Sequence, residues 1–91
     1  MAMTVVWLKF DEERLVQTLQ EAMEKLDGIE NEVILDFSSV RRIDSSVLRV
    51  MEDFVRTADG KGVKIVLRSV GVDIYKVLKL VKLAPRFVFS N

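Results

Sequence analysis

Two hydroxyls stand directly behind a carboxylate at Asp44-Ser45-Ser46, within the stretch Val33-Ile-Leu-Asp-Phe-Ser-Ser-Val-Arg-Arg-Ile-Asp-Ser-Ser-Val-Leu48. Apolar residues recur at helical spacing after them, so the three mark a helix start. A helix N-terminus presents unpaired N–H groups and partial positive charge. Asp44 can cap it by accepting from the N–H of Ser46 or Val47, which leaves Ser45 and Ser46 at the exposed mouth. A phosphoryl group added to a serine there brings about −1.5 to −2 charge at neutral pH. The helix dipole accommodates that charge, whereas neighbouring Asp44 and any apolar partner surface oppose it. A serine at this position can therefore switch a binding face. Simple helix capping accounts for the same residue types.

Other chemistries find less support. Asp36 and Asp44 are a candidate carboxylate pair for acid–base work, but no further polar group is recruited to them, and turn and cap hydrogen bonding explains both. The same aspartates with a serine could serve magnesium and phosphoryl chemistry. Gly60-Lys61-Gly62 is too short for a phosphate-cradling loop, however. The chain has no histidine and no cysteine. Ser-His and Cys-His nucleophiles, imidazole and thiolate metal ligands and disulfides are thereby excluded. No catalytic residue, metal site or cofactor is expected, and the protein is read as a binding module rather than an enzyme. Lys76, Lys79 and Lys82 recur every third residue and could meet an anionic surface. Asp73 beside them and the zero net charge favour a solvated face. Glu21, Glu24 and Lys25 read as another solvated face.

The elements that must position Asp44-Ser45-Ser46 follow from the rest of the chain. Its 91 residues make one domain, expected over 1–91, with room for one core. Apolar residues at 49% supply that core, and charged residues at 31% keep it soluble. Fourteen basic and fourteen acidic residues balance, which argues against a nucleic-acid partner. No apolar run approaches a membrane span, and only Lys9 is charged among the first ten residues, unlike a signal peptide. A cytoplasmic protein is the expectation.

Residues 4 to 8 are β-branched and apolar and predict a strand; Trp7 within it belongs to the core or to the sheet surface. Asp11-Glu12-Glu13 then opens a helix, with Leu15, Leu19, Ala22, Met23 and Leu26 on one face and Gly28 as its stop. Val33, Ile34, Leu35 and Phe37 form a buried strand, and a loop from Ser38 to Ile43 leads to the Asp-Ser-Ser start. Val47, Leu48, Met51, Phe54, Val55 and Ala58 continue that second helix, closed by Gly60 and Gly62. Val63, Ile65 and Leu67 make a third strand. Ser69 to Asp73 opens a third helix, which Pro85 ends, and Arg86 to Phe89 is an extended tail. The order β-α-β-α-β-α-(β) predicts an α/β fold, with a small, mostly parallel or mixed sheet flanked by helices.

The central stretch resembles the STAS domain of bacterial anti-sigma factor antagonists and of the cytoplasmic parts of sulfate transporters. The family pattern is a strand ending Leu-Asp, a loop with Val, then hydrophobic-Asp-Ser-Ser/Thr-Gly-Leu opening a helix. Leu35-Asp36, Val40 and Ile43-Asp44-Ser45-Ser46-Val47-Leu48 occupy those places. Phe10-Asp11 is similar to the family's hydrophobic-Asp pair before the first helix, and Gly60 to Leu67 to its glycine turn and third strand. Val77-Leu78-Lys79-Leu80-Val81-Lys82-Leu83, with Phe87 after it, resembles the Val-Leu-x-x-x-Gly-Leu helix end.

The resemblance implies a regulator of transcription. In the antagonists, the first serine after the aspartate is phosphorylated by a partner anti-sigma factor that is also a serine kinase. The unphosphorylated form binds that partner and frees the sigma factor. Ser45 is then the phosphoacceptor, Ser46 the lesser candidate, and Asp44 shapes the site. The partner-binding face comprises Arg41, Arg42, Asp44, Ser45, Ser46 and Val47. ATP and magnesium belong to the kinase, so this chain requires no cofactor. Val47 stands in place of the family glycine, where a partner approaches the backbone closely. Arg41-Arg42 could pair with a phosphate or simply be solvated. The family's additional N-terminal strand and last helix lack counterparts here, so a surface is expected to be exposed for a partner or a homodimer. These departures also fit an alternative, a constitutive subunit of a transport complex or a sensory particle without a phosphoswitch.

Overall fold

The computed structural model describes residues 5–28 and 31–90. Four strands and three helices alternate: β1 (Val5–Lys9), α1 (Leu15–Lys25), β2 (Glu32–Asp36), α2 (Ser45–Lys61), β3 (Lys64–Arg68), α3 (Val72–Leu80) and β4 (Val88–Ser90). The strands pair in sequence order, β1-β2-β3-β4, and every pairing is parallel. The expected α/β order is therefore the observed one, and the sheet is wholly parallel. The extended tail forms β4.

Parallel neighbours need crossovers, and crossovers of one hand stepping steadily across a sheet put their helices on one face. The burial pattern agrees. Val33 and Leu35 of β2 and Ile65 and Leu67 of β3 point into one core, with Val6, Leu8 and Phe89 packed against it from the edge strands. Leu15, Leu19 and Ala22 of α1 and Met51, Phe54, Val55 and Ala58 of α2 close over them. Ile74 and Leu78 of α3 complete the layer. Emptying such a site, for example Phe54→Ala, costs about 3–5 kcal/mol. Trp7 lies on the opposite, open face of the sheet, under the Arg68 guanidinium at 4.9 Å.

Element ends depart from expectation where backbone geometry intervenes. Asp11 caps as expected, accepting from the Glu13 N–H at 3.1 Å, but a 3₁₀ turn at Glu12–Arg14 precedes α1. Gly60 lies inside α2. Only Gly62, at φ 70°, is its left-handed cap. Pro85 does not end α3. That helix stops at Leu80, and Pro85 falls within a separate 3₁₀ turn at Ala84–Arg86. The stop is a Schellman motif: Leu83 N–H donates to the Leu78 carbonyl at 2.8 Å, and Lys82 N–H to the Lys79 carbonyl at 3.2 Å. The motif needs a left-handed residue, and here it is Lys82 at φ 65°.

A lysine carries a left-handed penalty of roughly 1–2 kcal/mol that glycine avoids, partly offset by glycine's greater freedom when unfolded. Lys82→Gly is thus expected to stabilise the protein by about 0.5–1 kcal/mol, raising Tm by roughly 4 °C. Urea and thermal melts of the two proteins would reveal it, and an unchanged or lowered midpoint would contradict this reading of the turn.

Candidate functional site

The Asp-Ser-Ser start lies at the carboxyl edge of the sheet, the edge where open parallel sheets place their sites. Three strands end there in step. Phe10 N–H donates to the Asp36 carbonyl at 3.0 Å, and Phe37 N–H to the Arg68 carbonyl at 2.9 Å. Phe10 and Phe37, both buried, stack with ring centroids 5.2 Å apart just beyond the strand ends. From this platform the chain turns through Ser38-Ser39. The Ser38 N–H donates to the Asp36 carboxylate at 2.9 Å, and the Val40 N–H to the Phe37 carbonyl at 2.9 Å. Buried Val40 and half-buried Ile43 then fasten the loop to the core.

Asp44 is the N-cap of α2, in extended backbone at φ −107° and ψ −176°. Its carboxylate accepts from the Val47 N–H at 2.9 Å, and its carbonyl accepts from the Leu48 N–H at 3.0 Å. Such a cap contributes about 1 kcal/mol. Ser45 and Ser46 occupy the first two helical positions and are both exposed.

Glu12 is the residue that sequence reasoning missed. Its Oε2 accepts from the N–H groups of both Arg41 and Arg42, at 3.1 and 3.0 Å. One carboxylate from the turn before α1 thus clamps the loop before α2. The sequence offered only an acid in a first turn, and a contact spanning about thirty residues leaves no local spacing to detect. Arg41 and Arg42 use their backbones for this clamp. Their side chains are exposed, and neither joins a salt bridge among the described residues. A shallow depression lined by Glu12, Leu15, Arg41, Arg42, Asp44 and Val47 lies beside the helix mouth.

Val47 requires a correction. The family resemblance places it on the partner face, whereas its helical spacing with Met51, Phe54 and Val55 places it inward; its side chain is only 6% exposed and belongs to the hydrophobic core. At the third position of α2, the helical turn rotates it inward. Its N–H is taken by Asp44, so Val47 adds little bulk to the outer surface.

Asp36 and Asp44 do not form a carboxylate pair. Each serves its own local donor, Ser38 N–H and Val47 N–H. The Ser38 backbone N–H and then its hydroxyl hold the Asp36 carboxyl below its ordinary value of 3.8. The Trp7 indole and Lys9 add to this, against a small opposing effect of burial. Among the described residues no cluster of acidic side chains could hold a metal ion, and no helix is long and apolar enough to cross a membrane.

The sequence model for the STAS domain matches residues 6–91. The chain belongs to the STAS domain family. A search of curated proteins finds no match. Among solved structures, an anti-sigma-factor antagonist (STAS) domain protein from Planctomyces limnophilus aligns with a TM-score of 0.77 and 16% identity, over 99% of this chain and 85% of that one. A Thermotoga maritima protein proposed to be an anti-sigma factor antagonist aligns at 0.73 and 22% identity, over 100% of this chain and 75% of that one. A chain from the molecular architecture of the stressosome, a signal integration and transduction hub, aligns at 0.74 and 20% identity, over 99% and 84%. At these identities the likeness establishes the fold. In this STAS domain Ser45 is the first residue of α2.

Two outcomes are expected. Glu12→Ala removes the acceptor shared by Arg41 and Arg42, so amide exchange at those two positions should speed at least tenfold while the β2 and β3 amides keep their protection. Unchanged exchange at 41 and 42 would mean that Glu12 does not hold the loop. The Asp36 carboxyl is lowered in the folded state, so its stabilising contribution is present above its ordinary value and lost as pH falls through the folded one. Urea midpoints measured below about pH 4 should therefore fall less steeply for Asp36→Asn than for the wild type. Parallel acid limbs would contradict it.

Proposed function

We propose that this STAS domain is an anti-sigma factor antagonist-like binding protein, switched by phosphorylation of Ser45 by a partner anti-sigma factor with serine kinase activity. The observation that carries this reading is the exposed Ser45 hydroxyl at the first position of a capped, core-anchored helix. The Ser45 Oγ attacks the γ-phosphorus of ATP held by the kinase. The bond to the β-phosphate oxygen breaks, ADP leaves, and the hydroxyl proton passes to a base of the kinase. The phosphoserine gains from the α2 dipole and from exposed Arg41 and Arg42, which offer guanidinium donors on the adjoining loop. Asp44, immediately before it, repels the new charge. The result is a folded domain whose binding face turns from near-neutral to strongly anionic, which disrupts a partner surface matched to the unmodified form. Ser46, also exposed, is the secondary acceptor. The role is one of binding, with the chemistry supplied by the kinase, and it fits a cytoplasmic regulator of transcription.

A second reading is a constitutive subunit of a larger assembly, favoured by the likeness to a chain of the stressosome. The two separate on one comparison. Wild type and Ser45→Asp are used as baits, and affinity for a captured kinase-like anti-sigma factor is measured by calorimetry. The switch predicts at least tenfold weaker binding for Ser45→Asp, about 1.4 kcal/mol, with an unchanged thermal midpoint. Equal affinity of both proteins for a stable assembly would support the subunit reading and reject the switch.

A further inference from the structure

The sheet face opposite the helices carries a pattern that the Ser45 site does not use. Trp7, Ile34, Val66 and Val88 are register partners, one from each strand, and form an apolar row across the whole sheet. Side chains alternate between faces along a strand, so this row points away from the core positions Val33, Leu35, Ile65 and Leu67. Val66 is only 8% exposed yet stands outside the core cluster, whereas Trp7 and Val88 remain 51% and 42% exposed. Charges flank the row in columns. Strand β2 presents Glu32 and Asp36, and β3 presents their register partners Lys64 and Arg68. None of these four is in a salt bridge among the described residues.

We infer that this face binds a second copy of the chain through a two-fold axis lying along the strands between β2 and β3. Rotation about that axis turns the sheet over and lays β2 of one copy on β3 of the other at the same level. Glu32 then faces Lys64 of the second copy, Ile34 faces Val66, and, once the Arg68 guanidinium swings off the Trp7 ring it covers at 4.9 Å, Asp36 faces Arg68 and Trp7 faces Val88. Acids meet bases in the two central columns and the apolar rows meet each other, while at the rim Lys9 of β1 meets Ser90 of β4. An axis across the strands would instead set Glu32 against Asp36 and Lys64 against Arg68, like against like. Face-to-face sheets pack about 10 Å apart with strands inclined by about 30°, which displaces the outer pairs more than the central four. The face measures about 15 by 17 Å from strand spacing and rise. That footprint, about 250 Å² per copy, is well under the roughly 800 Å² per partner of a standard interface, so the dimer is a weak one, expected at high micromolar to millimolar concentration. An acidic column on β2 beside a basic column on β3 suits a self-complementary partner better than an unlike one, with Lys9 as an additional base at the rim. The inference is independent of the Ser45 switch.

Trp7 is the sole tryptophan, so its emission reports burial of this face directly. Sedimentation and Trp7 fluorescence would be followed on dilution of the full chain from millimolar to nanomolar. A monomer–dimer equilibrium with emission moving to shorter wavelength in the dimer is expected. Glu32→Lys alone and Lys64→Glu alone should each dissociate at least tenfold more readily, with circular dichroism confirming that both fold. Mixed in equal amounts, the two variants should recover a heterodimer, because each introduced charge meets its opposite across the two-fold. A monomer at every concentration would overturn the inference. So would a dimer whose Trp7 emission does not change, or a mixture no tighter than either variant alone.

Discussion

The two hydrogen bonds that finish the sheet at its carboxyl edge, from Phe10 to Asp36 and from Phe37 to Arg68, govern the rest of this molecule. They bring β1, β2 and β3 to an end at one level, so the loops that follow leave from a common platform. Buried N–H and C=O groups must be paired, and this ladder is how the strand ends meet that requirement. The Phe10–Phe37 stack then seals the edge with apolar surface and adds about 0.5–1.5 kcal/mol beyond its burial. With the platform in place, a short loop suffices to reach the start of α2, and Ser45 has little freedom in where it stands.

That loop is held by carboxylates acting on backbone N–H groups. Asp36 turns the chain, Glu12 clamps it, and Asp44 caps the helix it leads into. Each works at short range and in partial solvent, where a hydrogen bond to a charged acceptor contributes more than an exposed ion pair. The outcome is a rigid mouth with both serine hydroxyls left outward. A surface that changes charge without refolding needs this division of labour. The groups that define the geometry are engaged with backbone, and the groups offered to a partner are not needed for the fold.

The two faces of the sheet meet different demands. The helix-covered face has buried Val33, Leu35, Ile65 and Leu67 at alternating positions on its central strands, with Val6, Leu8 and Phe89 partly buried at its edges. The other face keeps a tryptophan in the open, with the Arg68 guanidinium over it and charged residues to either side. Four parallel strands in sequence order expose such a face by necessity, since crossovers of one hand accumulate on one side. Charged residues around an apolar row limit indiscriminate association while leaving a patterned surface.

Element order, the α/β layering, most of the inward faces of the helices and the cap at Asp44 were legible in the sequence, because each depends on local periodicity or on a residue acting within three or four positions; that every strand pairing is parallel was not. The motif around Ile43-Asp44-Ser45-Ser46 pointed to the family for the same reason. Helix ends were less legible. Lys82 adopts the left-handed turn that glycine usually supplies, and Pro85 sits beyond the stop it was expected to impose. Three matters were decided only by the tertiary structure. Val47 had two readings, apolar helix face and partner face, and packing decided for the core, since one side chain cannot serve both. Glu12 became a clamp on Arg41 and Arg42 because folding brings together backbone groups that no sequence spacing relates. The row from Trp7 to Val88 exists only through strand register, which joins four residues from distant parts of the chain into one line.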